Sequence, residues 1–136
     1  MACPKWVPPM FWLVALYDGL LGAAFLIAAG PLYDAMGVTP ANHLGYVQFP
    51  AALLIVFAVM FARVAMNPPA NRELMLYGVG LKLSYLGVVL GHWAFGSIPT
   101  AWIPLALCDL VWAMLFIAAW VKTAPPPAAT DARPSA

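Results

Sequence analysis

Three ionisable residues stand inside long apolar stretches of this sequence: Asp18, Lys82 and Asp109. A charge at bilayer depth costs at least about 2.5–3.5 kcal/mol on insertion scales, so it usually turns to the interior of a bundle and finds a partner. Two acids and one base are natural partners for one another. Counting about 1.5 Å per residue from the cytoplasmic ends of the apolar blocks puts Asp18 and Lys82 at nearly equal depth, roughly a third of the way in. Asp109 comes out about 8 Å higher, a gap that a lysine stem partly bridges. The expected arrangement is an Asp18–Lys82 ion pair, with Asp109 within reach of Lys82 or of a water between them. Such a cluster can serve as a charge-neutralised pin that fixes helix packing. It can also exchange protons, because two carboxylates unevenly buried around one lysine would leave a group able to take and release a proton near neutral pH.

The neighbours of these residues follow from helical periodicity. In the third apolar block, Gly78, Lys82, Tyr85, Val89 and His92 share one side, so Tyr85 is counted with the polar cluster. Gly80, Ser84, Gly87 and Gly91 share the other. Gly87 and Gly91 have the small-residue spacing that lets two helices approach closely in lipid, and that face is expected to clasp a neighbour. In the fourth block, Leu105, Asp109, Trp112, Phe116 and Trp120 fall on one stripe. An acid beside stacked rings could hold a lipophilic cation or a flat ring such as a quinone, and Trp112 and Phe116 are therefore candidate ligand-lining residues. Packing is the plainer use of such a stripe. The Asp18 face of the first block carries Phe11, Ala15, Gly22 and Phe25, which suits either purpose.

Near the opposite ends of the blocks, Gln48 and His92, with His43 and Tyr46, come to similar depth. Gln48 and His92 complete the candidate lining, His92 being expected to sit hydrogen-bonded to Gln48 or a loop carbonyl. No second ligand stands at metal spacing, and Cys3 and Cys108 lie in different environments, so neither a metal site nor a disulfide is expected. A Gly-rich phosphate loop, a nucleophile elbow, HExxH and CxxC are all absent from the sequence. No catalytic residue and no cofactor is assigned, and catalysis by this chain alone is not expected.

The elements that must position these residues are membrane spans. Of the 136 residues, 65% are hydrophobic and 8% charged, against about 45–50% and about 25% in soluble domains. The apolar residues fall into four blocks, 10–29, 44–66, 74–95 and 103–121, each long enough to cross a hydrocarbon core of about 30 Å. The first is expected to end at Gly30-Pro31. Asp18 interrupts what would be the core of a cleavable signal, so that block is expected to remain as a span. The fold expected is all-α, an integral membrane antiparallel four-helix bundle in one domain covering 10–122. It is flanked by an N-terminal stub, 1–9, and an Ala/Pro-rich tail, 123–136, expected to be disordered.

Lys5, Arg63, Arg72, Lys122 and Arg133 all fall on one side of a four-span topology, whereas 30–43 and 96–101 hold no Lys or Arg. Basic loops stay in the cytoplasm, so both termini are expected there, in the inner (plasma) membrane. Trp6, Tyr33, Tyr46, Trp93, Trp102 and Trp120 lie near span ends and are expected mostly as headgroup anchors. A net charge of +1 without clustered Lys and Arg excludes a nucleic-acid partner. The partners expected are the lipid bilayer, a lipophilic small molecule, and a second copy or a membrane complex.

The runs Tyr17-Asp18-Gly19-Leu20-Leu21-Gly22 and Gly45-Tyr46-Val47-Gln48-Phe49-Pro50 are followed by Leu81-Lys82-Leu83-Ser84-Tyr85 and Asp109-Leu110-Val111-Trp112. Together they resemble a group of small bacterial four-helix membrane proteins, over about residues 6–121, a group that carries no assigned activity across. More distantly, in size and helix count, the chain is similar to the DoxX-like membrane proteins, some of which are implied in quinone-linked oxidation. The plan is also similar to that of small multidrug transporters, which have a glutamate in the first span and no lysine opposite it. Three functions are thus open: a structural subunit or binder of a lipophilic molecule, a dimeric proton-coupled transporter, and a DoxX-like subunit of a redox complex. A transporter requires a water-accessible path to the carboxylates.

Overall fold

The computed structural model describes residues 3–125 and is all-helical, with no strand among the described residues. Helix α1 spans Val7–Ala35, α2 Gly45–Met66, α3 Leu74–Ala94 and α4 Trp102–Lys122. All four are long and apolar enough to cross a membrane, and the chain is a multi-pass integral membrane protein. Helices are what lipid demands, since a segment without water around it must satisfy its own backbone hydrogen bonds. Only about a third of each helix is buried against the others. The exposed remainder is largely apolar, with residues such as Leu20, Ile27, Val56 and Met114, as a lipid-facing surface requires.

α2, α3 and α4 begin and end within a residue of the apolar blocks themselves. α1 does not stop at Gly30-Pro31 but runs on to Ala35, bending where Ala28 leaves helical geometry (φ −128°, ψ 33°). The cause is Pro31, whose ring cannot pack beneath the carbonyl of residue 27 and has no N–H to offer it. The bend is tolerated because the Gln48 side chain of α2 donates to the neighbouring Leu26 carbonyl at 3.2 Å. Beyond it, Tyr33 is buried against Phe25 and Trp102, which holds the added turns in place. α1 and α3 both close on glycines with positive φ, Gly37 (63°) and Gly96 (92°). Each lets the next residue donate back five positions, Val38 to Tyr33 and Ser97 to His92, and so occupies the last carbonyls.

The chain packs as two helical hairpins, α1 with α2 and α3 with α4, and α2 and α3 touch only sparsely. Within the first hairpin the backbones are close. A Cβ on Gly22 would lie 2.7 Å from the Ala51 carbonyl oxygen, so only glycine fits there. Between the hairpins the contact is made by large side chains. Phe11 stacks on Phe116 with centroids 4.9 Å apart, and Phe61 lies 5.1 Å from Phe116. Gly78 makes room for them, since a Cβ there would meet the Phe61 ring at 2.6 Å. With Val7, Val14, Val64, Met75 and Ala119, these rings form a closely packed core around one end of the bundle.

That end also gathers Lys5, Arg63, Arg72 and Lys122, and is called here the basic end. Arg72 ties the hairpins together: its Nε donates to the Trp120 carbonyl at 2.8 Å and its guanidinium lies 3.9 Å over the Trp120 ring. Asn71 donates to the Arg63 and Asn67 carbonyls, capping α2. Thr123, the first residue of the expected tail, is instead buried, its hydroxyl bonded to the Ala119 carbonyl at 2.8 Å. From 126 onward that tail lies outside the described residues, as do residues 1 and 2.

The small-residue face of α3 does not clasp a neighbour within the chain. Nothing comes within 4 Å of a Cβ on Gly80, Gly87 or Gly91. The reason is the stripe opposite, where Lys82 is drawn to two acids and Gly78 to the phenylalanine rings, and these turn the glycines outward.

Candidate functional site

Lys82 is the centre of the site. Its Nζ lies 2.7 Å and 2.9 Å from the two oxygens of Asp18 and 3.0 Å from Oδ1 of Asp109, so α1, α3 and α4 meet on one ammonium group. Side-chain exposure is 1% for Asp18 and 2% for Lys82, but 12% for Asp109. Asp18 is therefore held with both oxygens on Lys82, whereas Asp109 is the more exposed of the two acids, and beside the cluster the bundle encloses open space. The Tyr17 ring flanks the ammonium at 5.4 Å. The 8 Å offset counted along straight helices is taken up by the lysine stem and the packing of the hairpins, and no bridging water is needed.

The open space is a cavity of about 500 Å³. Its floor is the Asp18–Lys82–Asp109 cluster. Its walls are Leu21, Phe25 and Tyr33 of α1, Val47, Ala51 and Leu54 of α2, Tyr85 of α3, and Trp102 and Leu105 of α4. Toward the end of the bundle opposite the basic one, Phe25, Tyr33 and Trp102 form an aromatic ring with centroids 6.1–6.3 Å apart. Laterally the cavity is bounded by Leu53 of α2 and Val88 of α3, both exposed on the lipid-facing surface. It thus opens between α2 and α3, which touch only sparsely.

The residues expected at a site divide cleanly. Asp18, Lys82 and Asp109 come together, and Tyr85 lines the cavity beside them, its hydroxyl 3.5 Å from the Trp102 carbonyl. The expected lining residues Gln48, His92, Trp112 and Phe116 do not face the cavity. Gln48 is spent on the Leu26 carbonyl at the bend of α1. His92 is exposed at the last turn of α3, where the helix has left its partners, and it bonds neither Gln48 nor a loop carbonyl through its ring. Phe116 is wholly buried, but between the cluster and the basic end, in the closed core. Trp112 lies beside it, 6.4 Å away, packed on Tyr17, with its indole N–H buried and unbonded. A helical stripe names a direction around the axis, and these two rings share the direction of Asp109 while lying on the other side of it in depth.

Tyr33 and Trp102, expected as headgroup anchors, belong to the cavity wall instead; Tyr46 also borders it while remaining exposed. Tyr33 could not be placed from a helix expected to end at residue 29. Phe25, by contrast, was legible on the Asp18 face. Cys3 and Cys108 are both free, and no group of three or more potential metal ligands exists among the described residues. No family model, curated sequence or solved structure matches the chain, so the geometry of the site carries the functional reading.

Proposed function

We propose that this membrane protein binds a lipophilic small molecule that reaches it from within the bilayer. The observation that carries the reading is the cavity: about 500 Å³ of mostly apolar, aromatic-lined space with a few polar groups converging at its floor. Ligand sites commonly have about 300–1,000 Å³ and this distribution of polarity. The lateral opening between α2 and α3 favours a ligand that partitions into lipid. The ion cluster both holds three helices together and supplies the polar end of the site.

The test is to purify the protein in lipid nanodiscs, without a detergent that could compete, and identify small molecules retained by solvent extraction and native mass spectrometry. Wild type is expected to retain a lipophilic species in stoichiometric amount. Val88→Trp, which plants a large ring at the mouth without disturbing a buried contact, is expected to lose it and to melt no lower. Equal retention by both proteins would place the ligand elsewhere and end this reading.

The same proposal sets the protein in the inner membrane with both termini cytoplasmic. It is supported by Lys5, Arg63, Arg72 and Lys122 gathering at one end, while the loops at the other carry no Lys or Arg. Reporter fusions active only outside the cytoplasm should be silent at either terminus and active in the α1–α2 loop; the reverse pattern would invert the topology.

A further inference from the structure

Resting on the reading of the cavity as a ligand site, we propose that its occupant is a lipophilic monocation, an amine or a quaternary onium ion, seated against Asp109. The first support is the charge count at the floor. Asp18 and Asp109 contribute two carboxylates and Lys82 one ammonium, and no other Asp, Glu, Lys or Arg lines the cavity. With both acids ionised one negative charge is left over, and it faces a medium in which an isolated charge is costly.

The second support is the asymmetry of the two acids. Both acids line the floor, but Asp18 has both oxygens hydrogen-bonded to Lys82 and a side chain 1% exposed, whereas Asp109 meets Lys82 at 3.0 Å with a side chain 12% exposed. The excess charge is therefore presented by Asp109, at the place where a ligand would rest.

The third is the chemistry of the lining. A carbonyl or an anion at the floor would have to compete with Asp18 and Asp109 for the Lys82 ammonium, which already lies 2.7–3.0 Å from their oxygens. An anion would also meet Asp109 directly. A cation needs no donor from the protein. Tyr17, Phe25, Tyr85 and Trp102 line the space, and ring faces attract cations electrostatically, more strongly when water is excluded.

The proposal is tested with two ions of matched size and shape and opposite charge, tetraphenylphosphonium and tetraphenylborate. Each is titrated against the full-length protein in phosphatidylcholine nanodiscs. The readout is the indole N–H resonance of Trp102 in protein labelled with nitrogen-15 tryptophan, so partition into lipid does not register. Tetraphenylphosphonium is expected to shift that resonance saturably, and tetraphenylborate to leave it in place. Asp109→Asn removes the excess charge and is expected to weaken cation binding at least about tenfold, as loss of a buried charge partner does. Asp109→Glu keeps the charge and should bind as wild type does. Because the Glu variant disturbs packing more than the Asn variant, this order of affinities cannot come from misfolding alone. Equal shifts by both ions, or undiminished cation binding in Asp109→Asn, would overturn the assignment of charge and leave the cavity as a site for a neutral ligand. A shift by neither ion overturns it too, and the retained-molecule assay with Val88→Trp, which does not depend on charge, then decides whether the cavity is a ligand site at all.

Discussion

Lys82 stands at bilayer depth with its ammonium 2.7–3.0 Å from carboxylate oxygens of Asp18 and Asp109. A buried pair is a weak source of net stability but costly to break, since the partner left behind keeps its desolvation penalty. Lys82→Met is therefore expected to destabilise the bundle by about 3–5 kcal/mol. Adding Asp18→Asn to Lys82→Met should recover part of that loss, because it removes one of the two orphaned charges. A double-mutant cycle on equilibrium unfolding in lipid checks the sign of the coupling; independent, additive losses would mean that the pair does not act as a unit. This cluster was legible in the sequence because charge is so rare in an apolar block that three such residues have little choice but one another. His92 and Gln48 were less legible, since nearness in depth says nothing about which carbonyl a side chain will find.

The helices differ in how closely their backbones approach, and the glycines record it. Gly22 touches the Ala51 carbonyl, while Gly87 faces open space. Gly22→Val is expected to push α1 from α2 at a cost of about 1–3 kcal/mol, as overpacking typically does. Gly87→Ala should stay within about 0.5 kcal/mol of wild type, as surface changes away from special contacts do. Thermal unfolding of both variants in one lipid distinguishes the two positions, and equal losses would contradict the packing described. The spacing of Gly87 and Gly91 marked a close approach that the chain does not make, because small residues permit contact without compelling it, and the ion cluster orients α3 instead. The end of α1 was misplaced for a related reason. A proline forbids one hydrogen bond, and Gln48, twenty-two positions away, relieves the consequence at a distance no local pattern reveals.

At the scale of the whole molecule the two halves of the bundle are built differently. The half toward the basic end is closed by Phe11, Phe61 and Phe116, and the half beyond Asp18–Lys82–Asp109 is hollow. Four spans and their antiparallel order could be read from hydropathy, but not this division, which depends on which large side chains lie above and which below the charged level. Phe116→Ala, which empties a packed site, is expected to cost about 3–5 kcal/mol, and Phe25→Ala, which enlarges an existing space, under about 2 kcal/mol. Unfolding free energies in lipid test the difference; equal costs would mean that the two halves are equally packed. The stacked rings of Phe11 and Phe116 have a kinetic consequence as well. They stand like a bulkhead between the charged level and the basic face, so the hollow half is a cul-de-sac. A guest lodged there cannot leave toward the basic end, and through-passage would require the two hairpins to part along their aromatic seam.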